Sequence, residues 1–138
     1  YGVPIKLVDG GHQRRCFTYI EDGIDGLMKV LVNENGCADG QIFNFGNPSA
    51  DLSIRELAQK LLEAVGRYPR FADLARTAKV VDVSSADYYG ANYQDITTRV
   101  PSVRKAKACL GWEPKTSFDE GLAKTLDFYL SGRTTPEV

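Results

Sequence analysis

The chain has one histidine, one tryptophan, one methionine and three cysteines, and no long apolar run. Each scarcity excludes something. A lone His12, with no serine or cysteine in a nucleophile motif, supplies no Ser-His-Asp or Cys-His arrangement. Cys16, Cys37 and Cys109 are odd in number and far apart, with no CxxC pair. No structural zinc site is expected from them; they read as buried or incidental thiols of a reducing, cytoplasmic setting. Asp9, Glu21, Asp22 and Asp95 form no recognisable metal set either. No stretch approaches the roughly 20 apolar residues of a bilayer span, and the first residues do not read as a signal peptide. Charge of one sign is also missing: 17 Lys and Arg stand against 18 Asp and Glu, so no global field favours nucleic acid or an anionic membrane. Finally, no glycine-rich turn of the kind that cradles a dinucleotide pyrophosphate follows the first strand.

What is present suits one soluble domain. A length of 138 residues allows a real core but is small for two domains. We expect a single region over 1–138, with residues 133–138 a frayed tail. Pro4–Val8 reads as a strand ended by the turn Asp9-Gly10-Gly11, and Arg14–Tyr19 as a second strand. Ile20, Ile24, Leu27, Met28 and Leu31 recur at helical spacing, predicting a helix over Glu21–Asn33. Gln41–Phe45 reads as a strand. Ser53-Ile54-Arg55-Glu56 is a capping box, with Leu52 and Leu57 as its hydrophobic staple, and opens a helix that Gly66 stops. A helical turn is expected around Phe71–Ala75, a strand at Val80–Val83 and a loop at Ser84–Gly90. A helix capped by Ser102 runs to Leu110. A second capping box, Ser117–Glu120, opens a last helix with Phe118, Leu122, Leu126, Tyr129 and Leu130 inward. Short strands mixed with four helices place the chain in the α/β or α+β class.

Three constellations carry chemistry. Lys6, His12, Gln13, Arg14 and Arg15 surround the double glycine. Glycine lets backbone approach a ligand, and a guanidinium fork binds phosphate in bidentate fashion. The same residues also fit a hairpin with solvated charges, and on a strand only one of Arg14 and Arg15 can face a ligand. Tyr88, Tyr89 and Tyr93 flank Gly90; they suit stacking on a base, or equally an aromatic loop over a core. Arg99 precedes Val100-Pro101 and a helix, which would aim it at a cleft or leave it a surface charge.

The run GGHQRRCFTYIEDGIDGL, then IFNFGNP, SIRELAQKLLE and VPSVRKAKACLGWEPKTSFDEGLAKTLDFY, resembles the C-terminal half of extended short-chain dehydrogenases acting on nucleotide sugars. SSADYYGANYQDITTRVPS, beside IKLVDGGHQRRCFTYIEDGIDGL, resembles more narrowly the decarboxylase domains of bifunctional polymyxin-resistance proteins. The resemblance implies an α/β, Rossmann-type fold of which this chain is the substrate-binding portion, without the NAD-binding N-terminal half. The start at Tyr1 rather than Met accords with a fragment. Implied too is oxidation of UDP-glucuronate at C4 by NAD, loss of carbon dioxide from the resulting β-keto acid, and protonation at C5 to a UDP-4-keto-pentose for lipid A aminoarabinose. Lys6, Leu7, Val8, Asp9, Gly10, Gly11, His12, Gln13, Arg14 and Arg15 match the UDP-glucuronate-binding stretch, with Arg15 as the diphosphate ligand. His12 stands where a lysine is usual. Tyr93 matches a substrate-binding tyrosine, and Arg99 the arginine assigned as proton donor.

The glycine-rich NAD turn and the Tyr-x-x-x-Lys pair of such enzymes are absent, so the chain alone is expected neither to bind NAD well nor to catalyse. The implied partners are UDP-glucuronate, the cofactor half of the same chain and further copies in a homo-oligomer; no nucleic acid, membrane insertion or metal is implied. In such folds the helix from Glu21 and the strand at Gln41 pack on the cofactor half, so their apolar surface is expected bare here. Related activities remain open: a UDP-xylose synthase, an epimerase or a dehydratase. So does a non-catalytic nucleotide-sugar binding module, which an upstream glycine-rich strand–turn–helix in the natural reading frame would remove.

Overall fold

The structure, a computed structural model, describes residues 3–91 and 95–130. Its order of elements is β1 (Ile5–Val8), β2 (Arg14–Cys16), α1 (Ile20–Val32), β3 (Asp51–Ser53), α2 (Ile54–Gly66), α3 (Ala72–Thr77), β4 (Val80–Val83), α4 (Ser85–Tyr89), β5 (Thr98–Arg99), α5 (Arg104–Leu110) and α6 (Phe118–Leu130). The chain divides into two compact units, one of residues 1–14, 53–97 and 122–138, the other of residues 15–52 and 98–121.

In the first unit β1 and β4 pair in parallel, from Ile5 opposite Val80 to Val8 opposite Val83. Branched aliphatic residues favour this pleated pairing, and Leu7, 1% exposed, is its buried centre. Helix α2 packs against β1 and α3. Its start is the expected capping box: the Glu56 N–H donates to Ser53 Oγ (3.1 Å) and the Ser53 N–H to Glu56 Oε2 (2.7 Å). Past its end, the Tyr68 hydroxyl donates to Asp127 Oδ1 on α6 (2.5 Å).

The second unit is built around Trp112, which is fully buried. Its indole N–H donates to the Asp22 carbonyl of α1 (2.9 Å), and Asp22 Oδ2 accepts the Thr116 N–H (2.9 Å). Phe45 meets the indole edge to face at 4.8 Å. A side chain at Gly26 would come within 2.6 Å of the Phe45 ring, so α1 needs glycine where the ring crosses it. A three-stranded sheet has the order β3-β2-β5.

Several sequence expectations change. β1 and β2 belong to different sheets, so the glycine turn is not a hairpin. β2 ends at Cys16 rather than Tyr19. No strand forms at 41–45, because a strand needs a ladder partner and this segment has none here. The expected loop at Ser84–Gly90 is the helix α4, capped by Ser84 Oγ accepting the Asp87 N–H (3.1 Å). α5 starts at Arg104 after Val103, and no side chain caps it. On α6, Leu126 is buried but Tyr129 is exposed. The stripe Ile20, Ile24, Leu27, Met28 and Leu31 forms as spaced, and every one of these side chains is at least half exposed, as expected for this face.

Candidate functional site

Because β1 and β4 run in parallel, their C-terminal ends, Val8 and Val83, lie side by side. The segments that follow them, Asp9–Gly11 and Ser84–Tyr89, are thereby brought together. Ligands of open parallel sheets bind outside these carboxyl ends. The turn after β1 has three successive left-handed residues: Asp9 (φ 47°), Gly10 (φ 75°) and Gly11 (φ 66°). Glycine adopts this region freely; aspartate does so at a cost. The Ser85 N–H donates to Asp9 Oδ1 (2.8 Å), tying the turn to α4. Hydrogen bonds from the Ser85 side chain and backbone hold the Asp9 carboxyl below the usual carboxylate range.

The turn is clamped from α2. Arg55 Nε donates to the Gly10 carbonyl (2.8 Å), and its Nη2 pairs with Asp82 Oδ1 on β4 (2.8 Å). A Cβ at Gly11 would stand 3.0 Å from the Arg55 nitrogen, so this glycine permits the close approach of turn and helix. Gln13 Nε2 donates to the Val8 carbonyl (3.2 Å), closing the loop on itself. Arg14 pairs with Glu56 Oε2 (3.2 Å), whose carboxyl is held low by the backbone and then the side chain of Ser53. Lys6, exposed on β1, lies over the ring of Tyr88, its Nζ 5.7 Å from the centroid.

Of the residues singled out from the sequence, Lys6, Leu7, Val8, Asp9, Gly10, Gly11, His12, Gln13 and Arg14 thus fall together in the first unit. Leu7 contributes its side chain to the core, Val8 is half-buried, and His12 is exposed with its ring against Gly10. Arg15 and Arg99 belong to the second unit, on the neighbouring strands β2 and β5. The exit from β5 is fixed there by Pro101, whose ring fills the space beside Gly46; a Cβ on Gly46 would stand 2.5 Å from it. Tyr93 lies outside the described residues. Sequence reasoning passed over Arg55 and Ser85, which hold the turn from 45 and 76 residues away; no local pattern signals such partners.

The described residues do not build a dinucleotide cradle. The turn after β1 leads into a strand rather than a helix, and no glycine lies between β4 and α4 or between β3 and α2. Nor do the described residues contain a group of three or more histidine, cysteine, aspartate or glutamate side chains placed to hold a metal.

Compared with known proteins, residues 4–125 match the family model of GDP-mannose 4,6 dehydratase. The chain belongs to this family. Among solved structures, PbgP3 protein from Burkholderia pseudomallei is 40% identical with a TM-score of 0.83, over 95% of this chain and 36% of that one. DesIV, a dTDP-glucose 4,6-dehydratase from Streptomyces venezuelae solved with NAD and TYD bound, is 25% identical with a TM-score of 0.70, over 96% of this chain and 35% of that one. UDP-glucuronic acid 4-epimerase from Bacillus cereus, in complex with UDP-glucuronic acid and NAD, shares the fold at 23% identity and a TM-score of 0.73, over 92% of this chain and 35% of that one. The chain therefore spans about a third of the length of these family structures. The expected class holds: a mixed α/β chain matching part of the Rossmann-type, extended short-chain dehydrogenase enzymes of the nucleotide-sugar epimerase and dehydratase type. Among the described residues, no helix is long and apolar enough to cross a membrane.

Proposed function

We propose that this chain is the UDP-sugar-binding part of an NAD-dependent UDP-glucuronate oxidative decarboxylase of the ArnA type, acting in the cytoplasm on the route to lipid A aminoarabinose and polymyxin resistance. The observation that supports it most is the run Lys6–Arg14: a left-handed glycine turn, clamped by Arg55, emerging at the carboxyl ends of two parallel strands. Its cations and left-handed glycine backbone suit a diphosphate. Arg15 and Tyr93 complete the substrate contacts in this reading, and Arg99 acts on the sugar. NAD, held by the rest of the protein, takes the hydride from C4.

What this chain contributes is charge at fixed places. A cation beside the substrate carboxylate binds the ground state; one beside the oxygen at C4 stabilises charge that develops as carbon dioxide leaves. Arg99 is assigned to the second task, with a water bringing the proton to C5, because a guanidinium rarely releases one.

The test is to give the full-length natural protein UDP-glucuronate and NAD, and to follow NADH and carbon dioxide together. Equal accumulation of both is the expected result. Carbon dioxide without net NADH would replace this reading by a UDP-xylose synthase, which returns the hydride. Absence of both, with binding of another nucleotide sugar, would move it to an epimerase or dehydratase.

A further inference from the structure

The two tyrosines of α4 have no part in the reading above. Tyr88 and Tyr89 close α4 with their side chains about half in solvent, 51% and 54% exposed. Their rings meet edge to face, with centroids 4.8 Å apart and planes at 82°. A helix of five residues does not hold itself, and two contacts from the β1 side fix this one. Lys6 Nζ lies over the Tyr88 ring. Asp9 Oδ1 accepts the Ser85 N–H, from a residue kept at φ 47°. A non-glycine residue persists in that region only where its surroundings over-determine it, and such strain gathers at ligand clamps. The outcome is an aromatic pair latched beside the carboxyl ends of β1 and β4, still open to water.

We propose that Tyr88, buttressed by Tyr89 and latched through Lys6 and Asp9, is the stacking surface for the base of a uridine nucleotide. The proposal rests on the nucleotide-sugar reading and deepens it. The amides and cations of the turn suit a diphosphate, but none of them offers a flat face to a base. A phenol ring does, and Tyr88 keeps about half its surface in solvent while Lys6 and Tyr89 hold it in place. Stacking of this kind accepts any base, so Tyr88 sets affinity for the nucleotide rather than the choice of uracil.

The experiment titrates the full-length natural protein with UDP, UMP and inorganic pyrophosphate by calorimetry. Tyr88→Leu keeps apolar bulk but removes the π face; Tyr88→Phe keeps the face. The expected result is that Tyr88→Leu weakens UDP and UMP by about 5- to 100-fold and leaves pyrophosphate unchanged. Tyr88→Phe stays within about threefold of wild type. With UDP-glucuronate as substrate, Tyr88→Leu raises KM while kcat holds, the signature of uniform binding. Tyr129→Leu, an exposed tyrosine on α6, is the control and leaves all three affinities unchanged. Wild-type affinity for UDP in Tyr88→Leu overturns this proposal alone. So does an equal loss for pyrophosphate, which would mean that the turn has collapsed. A wild-type protein that binds no uridine nucleotide overturns the proposal together with the reading it rests on.

Discussion

A guanidinium keeps its proton to above about pH 12, and this constrains what Arg99 can do. If Arg99 acts as proposed, as a point charge beside a developing oxyanion, it is replaceable in part by a lysine. Arg99→Lys is therefore expected to retain more decarboxylation than Arg99→Ala in the full-length enzyme, with the alanine variant lower by about 100-fold or more in kcat. Equal losses with substrate binding intact would instead assign the role to guanidinium geometry. The sequence singled out Arg99, Arg14 and Arg15 because they stand next to turns. It missed Arg55, which lies inside a capping box and looks committed to its helix. Only the parallel pairing of β1 and β4 brings Arg55 to both Gly10 and Asp82. Residues that act locally were legible; residues that act across the fold were not.

At the scale of elements, legibility followed how far each element depends on its own residues. α2 is written in four letters, Ser53 to Glu56, and the reciprocal hydrogen bonds form as read. Ser53→Ala is expected to cost about 1 kcal/mol of stability, read from denaturant unfolding. The same box gives an acid dependence. The Glu56 pKa is depressed, first by the Ser53 backbone N–H. Its contribution is then present above the unfolded pKa and lost as pH falls through the folded one. Thermal melts taken from neutral to acidic pH are expected to fall less steeply in Glu56→Gln than in wild type; parallel slopes would remove Glu56 from the acid transition. Gln41–Phe45 failed as a strand because its alternation describes only one side of a ladder. The steric demand at Gly46 was not legible at all. Gly46 has an ordinary φ, so its need is for space, with Pro101 in the way of a Cβ. Gly46→Ala is expected to destabilise the chain by about 1–3 kcal/mol through overpacking, and Gly46→Ala with Pro101→Ala to recover part of that loss. A Gly46→Ala melt identical to wild type would show that the 46–101 contact yields freely.

The molecule as a whole is where α1 becomes informative. Its apolar spacing identified a helix with one apolar face, and that face was expected bare here; the helix formed and the face is bare. Ile20, Ile24, Leu27, Met28, Leu31 and Val32 are all at least half exposed, and Ile42 is 84% exposed. Periodicity reports that a face is apolar, not what covers it. The same helix is nonetheless held firmly on its other side, by Trp112 on the Asp22 carbonyl and by Phe45 against Gly26. The exposed stripe is thus a firm surface rather than a frayed one, and contiguous apolar surface of this kind drives association. The 138-residue chain on its own is expected to associate as its concentration rises, as seen by sedimentation velocity. Leu27→Glu together with Leu31→Lys places an i,i+4 pair on the exposed face in the favourable order. That double variant is expected to remain monomeric with unchanged helix content by circular dichroism. Because Leu27 and Leu31 are 58% and 76% exposed, their replacement removes little packing, and any fall in stability is expected to stay within about 0.5 kcal/mol. A wild-type chain that sediments as a monomer at every concentration would show that the α1 face does not drive association. Association that survives in the double variant would move the contact to another surface.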